Sequence, residues 1–417
     1  MPEKRNIALS PRDGTRFLVF AQSPSLPSFK KPVTIKISLP PERVRPGPAD
    51  GQIYVLDVPN KLPYRSRSPQ DYTPFDGREW NGFRAPPPAP GRSGHYDHLE
   101  PGTPGFAAAA SYASIRRVLD IWHRYFGGPI AWHFKPKFAR LEVVPQINDA
   151  NAHAGFGFVE FGYGMPGGRF TYVSPFWQNF DVVAHETGHM FLYAKMGFPR
   201  GTKRRDEWSK IGTPEFRAFH ESSGDLVAIV SSLHFPSVSD HLLEETRGNL
   251  FTNNELSRVG ELSESYQIRN AFNDKKMSSV KRVRHIPHEL SLPLTGAVFD
   301  ILVEVFQKNL VDASLIGQDL ANQANRRFGA RGAPPEVQRG FDRAFKGRKR
   351  QFARELFRAR DYLGDLLAHT WSTLSPDKLT FVKVGRSLLQ SDRAIGNGDG
   401  AHRDTIRRCF KWRGLEL

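Results

Sequence analysis

The stretch Val183-Ala184-His185-Glu186-Thr187-Gly188-His189 constrains this chain more than any other. It sets two histidines four positions apart, with a glutamate directly after the first. On a helix, positions i and i+4 share a face one turn apart, so both imidazoles reach toward one point. That face continues through Leu192 and Met196, and Val182-Val183-Ala184 begins an apolar stretch, so the pattern predicts a helix sunk in a core. Asp181 stands where it can cap or charge the helix start. Buried imidazoles need partners. A metal ion serves both, and zinc is the expected one: it accepts neutral imidazole nitrogens in tetrahedral geometry and can keep one position open for water. Glu186 points off the histidine stripe, where a carboxylate can take a proton from that water. The competing reading is two ordinary polar-face histidines.

Two histidines hold zinc weakly, and catalytic sites use three protein ligands. The segment Phe219-His220-Glu221-Ser222-Ser223-Gly224-Asp225-Leu226 offers Glu221 and Asp225 at i and i+4 on a second helix. From that face Glu221 can bind the metal while Asp225 accepts the other ring N–H of a ligand histidine. Ser222, Ser223, Gly224 and Ala228 are small enough for close approach to another helix. His220, Glu215 and Asp225 compete as third ligand.

Taken together, Asp181 to His189 followed by Glu221 to Asp225 resembles the thermolysin-type zinc metallopeptidases, the gluzincins, which carry D-V-V-x-H-E-x-x-H and then N-E-x-x-S-D. The resemblance implies His185, His189 and Glu221 as zinc ligands, Glu186 as general base, and Asp225 as partner of the first histidine. Two departures stand out. His220 replaces the family's asparagine, and the interval from His189 to Glu221 is longer than usual. The extra length falls in Gly197–Glu215, where Lys203-Arg204-Arg205 reads as a solvated loop.

Upstream, the run from Ile147 to Gly164 alternates aromatics with Gly and Glu, the period of a strand with a closely approached backbone. An exposed edge strand can bind an extended peptide by strand addition. Asn151-Ala152 resembles the family's Asn-Ala segment, which implies a substrate-binding role; a plain edge strand is the alternative. Downstream, His288-Glu289-Leu290-Ser291 matches the family's H-x-x-S ahead of a helix, which implies His288 as hydrogen-bond donor to the oxyanion, with His285 as runner-up. The nearest upstream acid for such a histidine is Asp274. Of the family's calcium ligands Asp181 is matched, but Ser232 stands where another acid belongs, so no structural calcium is expected.

The chain has 417 residues, enough for a large core and two or three lobes. One cysteine, Cys409, excludes a disulfide framework within the chain. Lys and Arg number 59 against 43 Asp and Glu, a net charge of +16, which attracts nucleic acid or an acidic membrane. No specific nucleic-acid motif accompanies it. Arg326–Arg360 is the most basic region, and its densest patch, Lys346 to Arg350, reads as a solvated helix face. No run reaches the roughly 20 apolar residues of a membrane span. Without a recognisable export signal, a cytoplasmic location is expected, or a secreted one if the sequence is a trimmed form.

Residues 1–60 carry short strand-like runs at Arg16–Ala21, Pro32–Leu39 and Gln52–Val58. Residues 61–105 form a Pro/Gly-rich connector. Residues 106–235 make a catalytic α/β lobe: a helix at Phe106–Phe126, strands at Ile130–Phe134 and Leu141–Pro145, the Asn-Ala edge strand and the histidine helix. Residues 236–417 make a helical lobe, clearest at Leu294–Gln307, Gln338–Trp371, Leu379–Ser391 and His402–Phe410. The expected class is therefore α+β, with the two-lobe thermolysin-like arrangement that the resemblance implies: a β-rich N-terminal lobe, a central histidine helix and a helical C-terminal lobe. The expected function is a zinc endopeptidase acting on peptides or proteins. Two rivals stay open: a catalytically idle zinc module for an acidic partner, and a zinc aminopeptidase, for which Glu160 is the conceivable amine anchor.

Overall fold

A computed structural model describes residues 12–59, 61–64, 82–135, 137–163, 175–202, 210–263, 266–324, 333–396 and 400–417. The basic run Lys203-Arg204-Arg205 lies outside them. The architecture is mixed α/β, rich in helix with small sheets. By contacts it divides into two compact units. The first is Met1–Gly197 with Thr202–Lys210 and Gly260–Gln267; the second is Phe198–Gly201, Ile211–Val259 and Ile268–Leu417. The division therefore follows the histidine helix, whereas the sequence suggested a lobe running to residue 235.

In the first unit, β1 (Arg16–Val19) and β2 (Val33–Lys36) form an antiparallel pair. A second sheet has the order β3 (Ile53–Val55), β4 (Leu141–Val144), β6 (Phe158–Phe161), β5 (Ala152–Gly155), parallel except for the antiparallel β5–β6 hairpin. Between β3 and β4 in sequence comes α1 (Phe106–Tyr125), buried over almost its whole length. Its opening alanines allow close approach, and Trp122 further on sets its ring 6.1 Å from Phe191 of α2 (Phe180–Lys195). The connector is less of a bystander than its composition suggests. Tyr96 is fully buried and stacks on Phe17 at 4.9 Å, and Tyr64 joins the core under β4 and β6.

Residues Ile130–Phe134 correct the sequence reading, since they form no strand. They turn, and their polar groups are met by one side chain and one carbonyl of Gln52: its Nε2 donates to Ile130 O at 3.0 Å, and Trp132 Nε1 donates to its O at 2.9 Å. An apolar run of this length buries equally well as strand or turn.

The second unit centres on α5 (Pro287–Asp312), against which α3 (Pro214–Ser232), α8 (Lys349–Thr373) and α10 (Arg403–Trp412) pack. Between α3 and α5 in sequence come α4 (Pro236–Thr246) and a hairpin of β7 (Arg258–Ser263) and β8 (Tyr266–Asn270), whose Gly260–Gln267 is counted with the first unit; these are strands in a stretch expected to be helical. Helix α5 starts earlier than its apolar period indicated and contains Pro293. Proline deletes one backbone bond, here to Glu289, whose exposed position lets water replace it. The segment Gln338–Trp371 is two helices, α7 (Pro335–Phe345) and α8, after the short α6 (Gln318–Gln323). Gly347 breaks it at φ +72°, a left-handed conformation that suits glycine. Helix α9 (Phe381–Ile395) packs on α8 and α10. Arg413 closes the unit: buried beside Asp300 at 2.8 Å, it also donates to Asn273 and Lys275 carbonyls. A Cβ at Gly296 would meet its guanidinium at 2.6 Å, so only glycine lets it seat.

Candidate metal centre and its surroundings

Helix α2 starts at Asn179, whose Oδ1 accepts from the amides of Asp181 (3.1 Å) and Val182 (3.4 Å). Asp181, expected as a possible cap, instead sits in the first turn, where a carboxylate favours the helix dipole and accepts from Gln22 Nε2 at 3.2 Å. The helix is buried from Phe180 to Leu192, and His185 and His189 are 4 % and 9 % exposed. Their Nε2 atoms lie 3.1 Å apart with the rings at 89°. Two nitrogens bound tetrahedrally to one zinc at about 2.0–2.1 Å stand about 3.3 Å apart, so the pair is spaced for a shared ion. Glu186 lies between them in sequence, 7 % exposed, and its carboxylate has no hydrogen-bond or ion-pair partner among the described residues.

Glu221 lies in the middle of α3, whose first turn is capped by Thr213 Oγ1 accepting from Phe216 N at 3.0 Å. His185 and His189 of the first unit offer two imidazoles, and Glu221 of the second offers a carboxylate. These three donors, two neutral nitrogens and one carboxylate, are of the type zinc accepts at a catalytic site. The rival third ligands are engaged elsewhere. Glu215 Oε2 accepts from the Phe381 amide at 2.6 Å, and fully buried His220 packs its ring 4.7 Å from Phe216.

Around Glu221 the second unit assembles a polar group. Asp225, one turn on and fully buried, accepts at Oδ1 from Arg269 Nε at 2.7 Å. Arg269 Nη1 is also 2.9 Å from Nδ1 of His288, which in turn is 2.8 Å from Glu221 Oε2. Guanidinium nitrogens only donate, so the Arg269 contact uses the Nδ1 lone pair and leaves the ring proton on Nε2; the Glu221 contact would need the opposite tautomer. His288 is half exposed and belongs to the first turn of α5, not to the segment before it. His285 is exposed in the turn ahead of that helix, and Asp274 is exposed on its loop. Arg269 escaped the sequence reading. It lies 44 positions from Asp225 on a strand inside a region that looked helical, so no local pattern marked it.

Ala152 opens β5, the edge of its sheet, and β5 runs beside α2. Exposed Asn151 accepts at its carbonyl from Gly162 N at 2.9 Å. A Cβ on Gly162 would meet Asp149 O at 2.1 Å, which explains the glycine there. Behind this hairpin lies a knot of buried charge. Lys61 Nζ donates to Glu160, Tyr64 N donates to the same carboxylate at 2.8 Å, and His153 Nε2 is 3.2 Å from it. Glu142 accepts from the hydroxyls of Tyr54 (2.6 Å) and Tyr64 (2.5 Å). Burial raises the Glu142 carboxyl above the usual range and lowers Lys61 below its own.

No family model and no curated protein matches the chain. Among solved structures it is similar to the precursor of protealysin, a metalloproteinase from Serratia proteamaculans. The TM-score is 0.44 at 14% identity, over 77% of this chain and 83% of that one. Among the described residues no single helix is long and apolar enough to cross a membrane.

Proposed function

We propose that this chain is a zinc-dependent endopeptidase. The observation that carries the reading is the pair of buried His185 and His189 nitrogens, 3.1 Å apart and spaced for one ion, with the Glu186 carboxylate following His185 on the same helix. Zinc held by His185, His189 and Glu221 would supply Lewis-acid polarisation of a scissile carbonyl and an acidified water. Glu186 takes the proton of the attacking water and passes it to the leaving amine. His288, its Nδ1 engaged by Arg269, donates from Nε2–H to the oxygen that becomes negative. Asp225 orients the ligand set together with Arg269. The β5 edge, entered through Asn151 and Ala152, offers backbone groups to an extended peptide.

Endopeptidase is favoured over aminopeptidase because Glu160, the conceivable anchor for a substrate amine, is fully buried on Lys61 and the Tyr64 amide. The test is cleavage of a mixed library of N-terminally blocked and free peptides by the zinc-loaded protein. Internal cleavage of blocked peptides, abolished by a chelator and restored by zinc, is the expected result. Stoichiometric zinc without cleavage would identify an idle metal module, and cleavage of free N-termini alone an exopeptidase.

A further inference from the structure

We infer that the corner between α7 and α8 docks the phosphate backbone of a nucleic-acid duplex. Six basic residues fall between positions 339 and 350: Arg339, Arg343, Lys346, Arg348, Lys349 and Arg350. Lys346, Gly347 and Arg348 form the turn itself, so the patch is a protruding corner and not the continuous helix face its sequence suggested.

The basic groups here are not neutralised as others nearby are. Lys349 pairs with Glu244 (3.2 Å) and Asp240 (3.7 Å), and further along α8 Arg354 and Arg358 both hold buried Glu355. Arg339, Arg343, Lys346, Arg348 and Arg350 have no acidic partner within ion-pair distance among the described residues, and all but half-buried Arg348 are exposed. Arg339 and Arg343, one turn apart on α7, repel each other unless an anion lies between. Arg343 and Arg348 also line one cleft of about 420 Å³, floored by Leu315, Ile316 and Leu320. The acids close by are Glu336, which shares the cleft, and Asp342, which accepts from Gln338 Nε2 at 3.1 Å.

The chemistry of the corner selects among anions. Four of the five unpaired groups are arginines, whose planar fork matches phosphate oxygens. Among the described residues, the aromatic side chains between positions 339 and 352, Phe341, Phe345 and Phe352, are all buried, so none of these can stack on an unpaired base. Among the described residues, none of the exposed large apolar side chains lies at this corner, which leaves it without a described group to insert into a lipid surface. Unpaired arginines without a stacking or inserting group suit duplex phosphates, bound without regard to sequence.

The experiment measures binding of full-length protein to a short random-sequence DNA duplex by fluorescence anisotropy, with salt raised from about 50 to about 200 mM. Two triple variants are compared after thermal unfolding shows both folded: R343A/R348A/R350A, and K30A/K31A/R43A, which removes the same charge from exposed positions elsewhere. Loss of phosphate contacts lowers the slope of log affinity against log salt by about one per contact, so the corner variant should lose about three and the control should keep the wild-type slope. Equal losses in both variants would reduce the effect to overall charge and overturn the proposal. So would an undiminished slope in the corner variant, no duplex binding by wild type, or stronger corner-dependent binding to a sulfated polysaccharide or to phosphatidylserine vesicles. Because the readout is binding, its outcome does not depend on whether the metal centre cleaves peptides.

Discussion

Arg269 Nη1 lies 2.9 Å from Nδ1 of His288. One guanidinium thereby reaches the imidazole while its Nε holds Asp225 at 2.7 Å. If that is the oxyanion donor, His288→Phe should lower kcat on blocked peptides about 10²–10³-fold with zinc content unchanged. Arg269→Lys keeps the charge but loses the fork. Its effect should be smaller, and the double variant should fall well short of the product of the two, because both act through one ring. Steady-state kinetics on all three proteins decides it; multiplicative losses would mean the residues act separately.

Glu186→Gln keeps the size of the side chain and removes its basicity. Turnover should drop by at least about 10²–10⁴-fold while zinc stays near stoichiometric by metal analysis. Retained turnover, or loss of the metal along with activity, would contradict the role assigned to Glu186. Separately, stripping zinc should lower the midpoint of thermal unfolding, since an ion bound only by the folded chain stabilises it.

The Lys61–Glu160 pair is buried with 1 % and 0 % side-chain exposure. Removing one partner strands the other charge, so Lys61→Met should destabilise the first unit by about 3–5 kcal/mol, and adding Glu160→Gln should recover part of it. Urea midpoints at constant m-value measure both. A loss within about 0.5 kcal/mol for Lys61→Met would show that the ammonium is not what compensates Glu160.

Acid should weaken the fold through two histidines of the first unit. Burial, Arg116 and Lys195 hold His123 down at about 3, and burial among Phe134, Phe156 and Tyr193 holds His133 at about 4. Both folded values lie below the unfolded value of about 6.5, so the unfolded chain binds more protons between them. Their contribution is complete above about pH 6.5 and is lost as pH falls toward 4 and 3, to a rough extent of 2–3 kcal/mol each by pH 4. His133→Phe should flatten the decline in unfolding midpoint between pH 7 and 4. An unchanged decline would mean other groups carry it.

Local order was legible where one period dominates. The spacing of His185 and His189 puts both rings on one face whatever surrounds the helix, and the apolar stripe of α1 left little choice but a buried helix. Where residue types suit several backbones, the sequence was mute: Ile130–Phe134 became a turn once Gln52 could meet its polar groups, and Gly347 turned one apparent helix into two. Tertiary structure alone tied Glu215 to the Phe381 amide, and it alone brought Arg269 to Asp225 and His288. The cause is physical. Helical periodicity is a property of neighbours along the chain, whereas a ligand set and a shared hydrogen bond depend on which distant segments fold side by side.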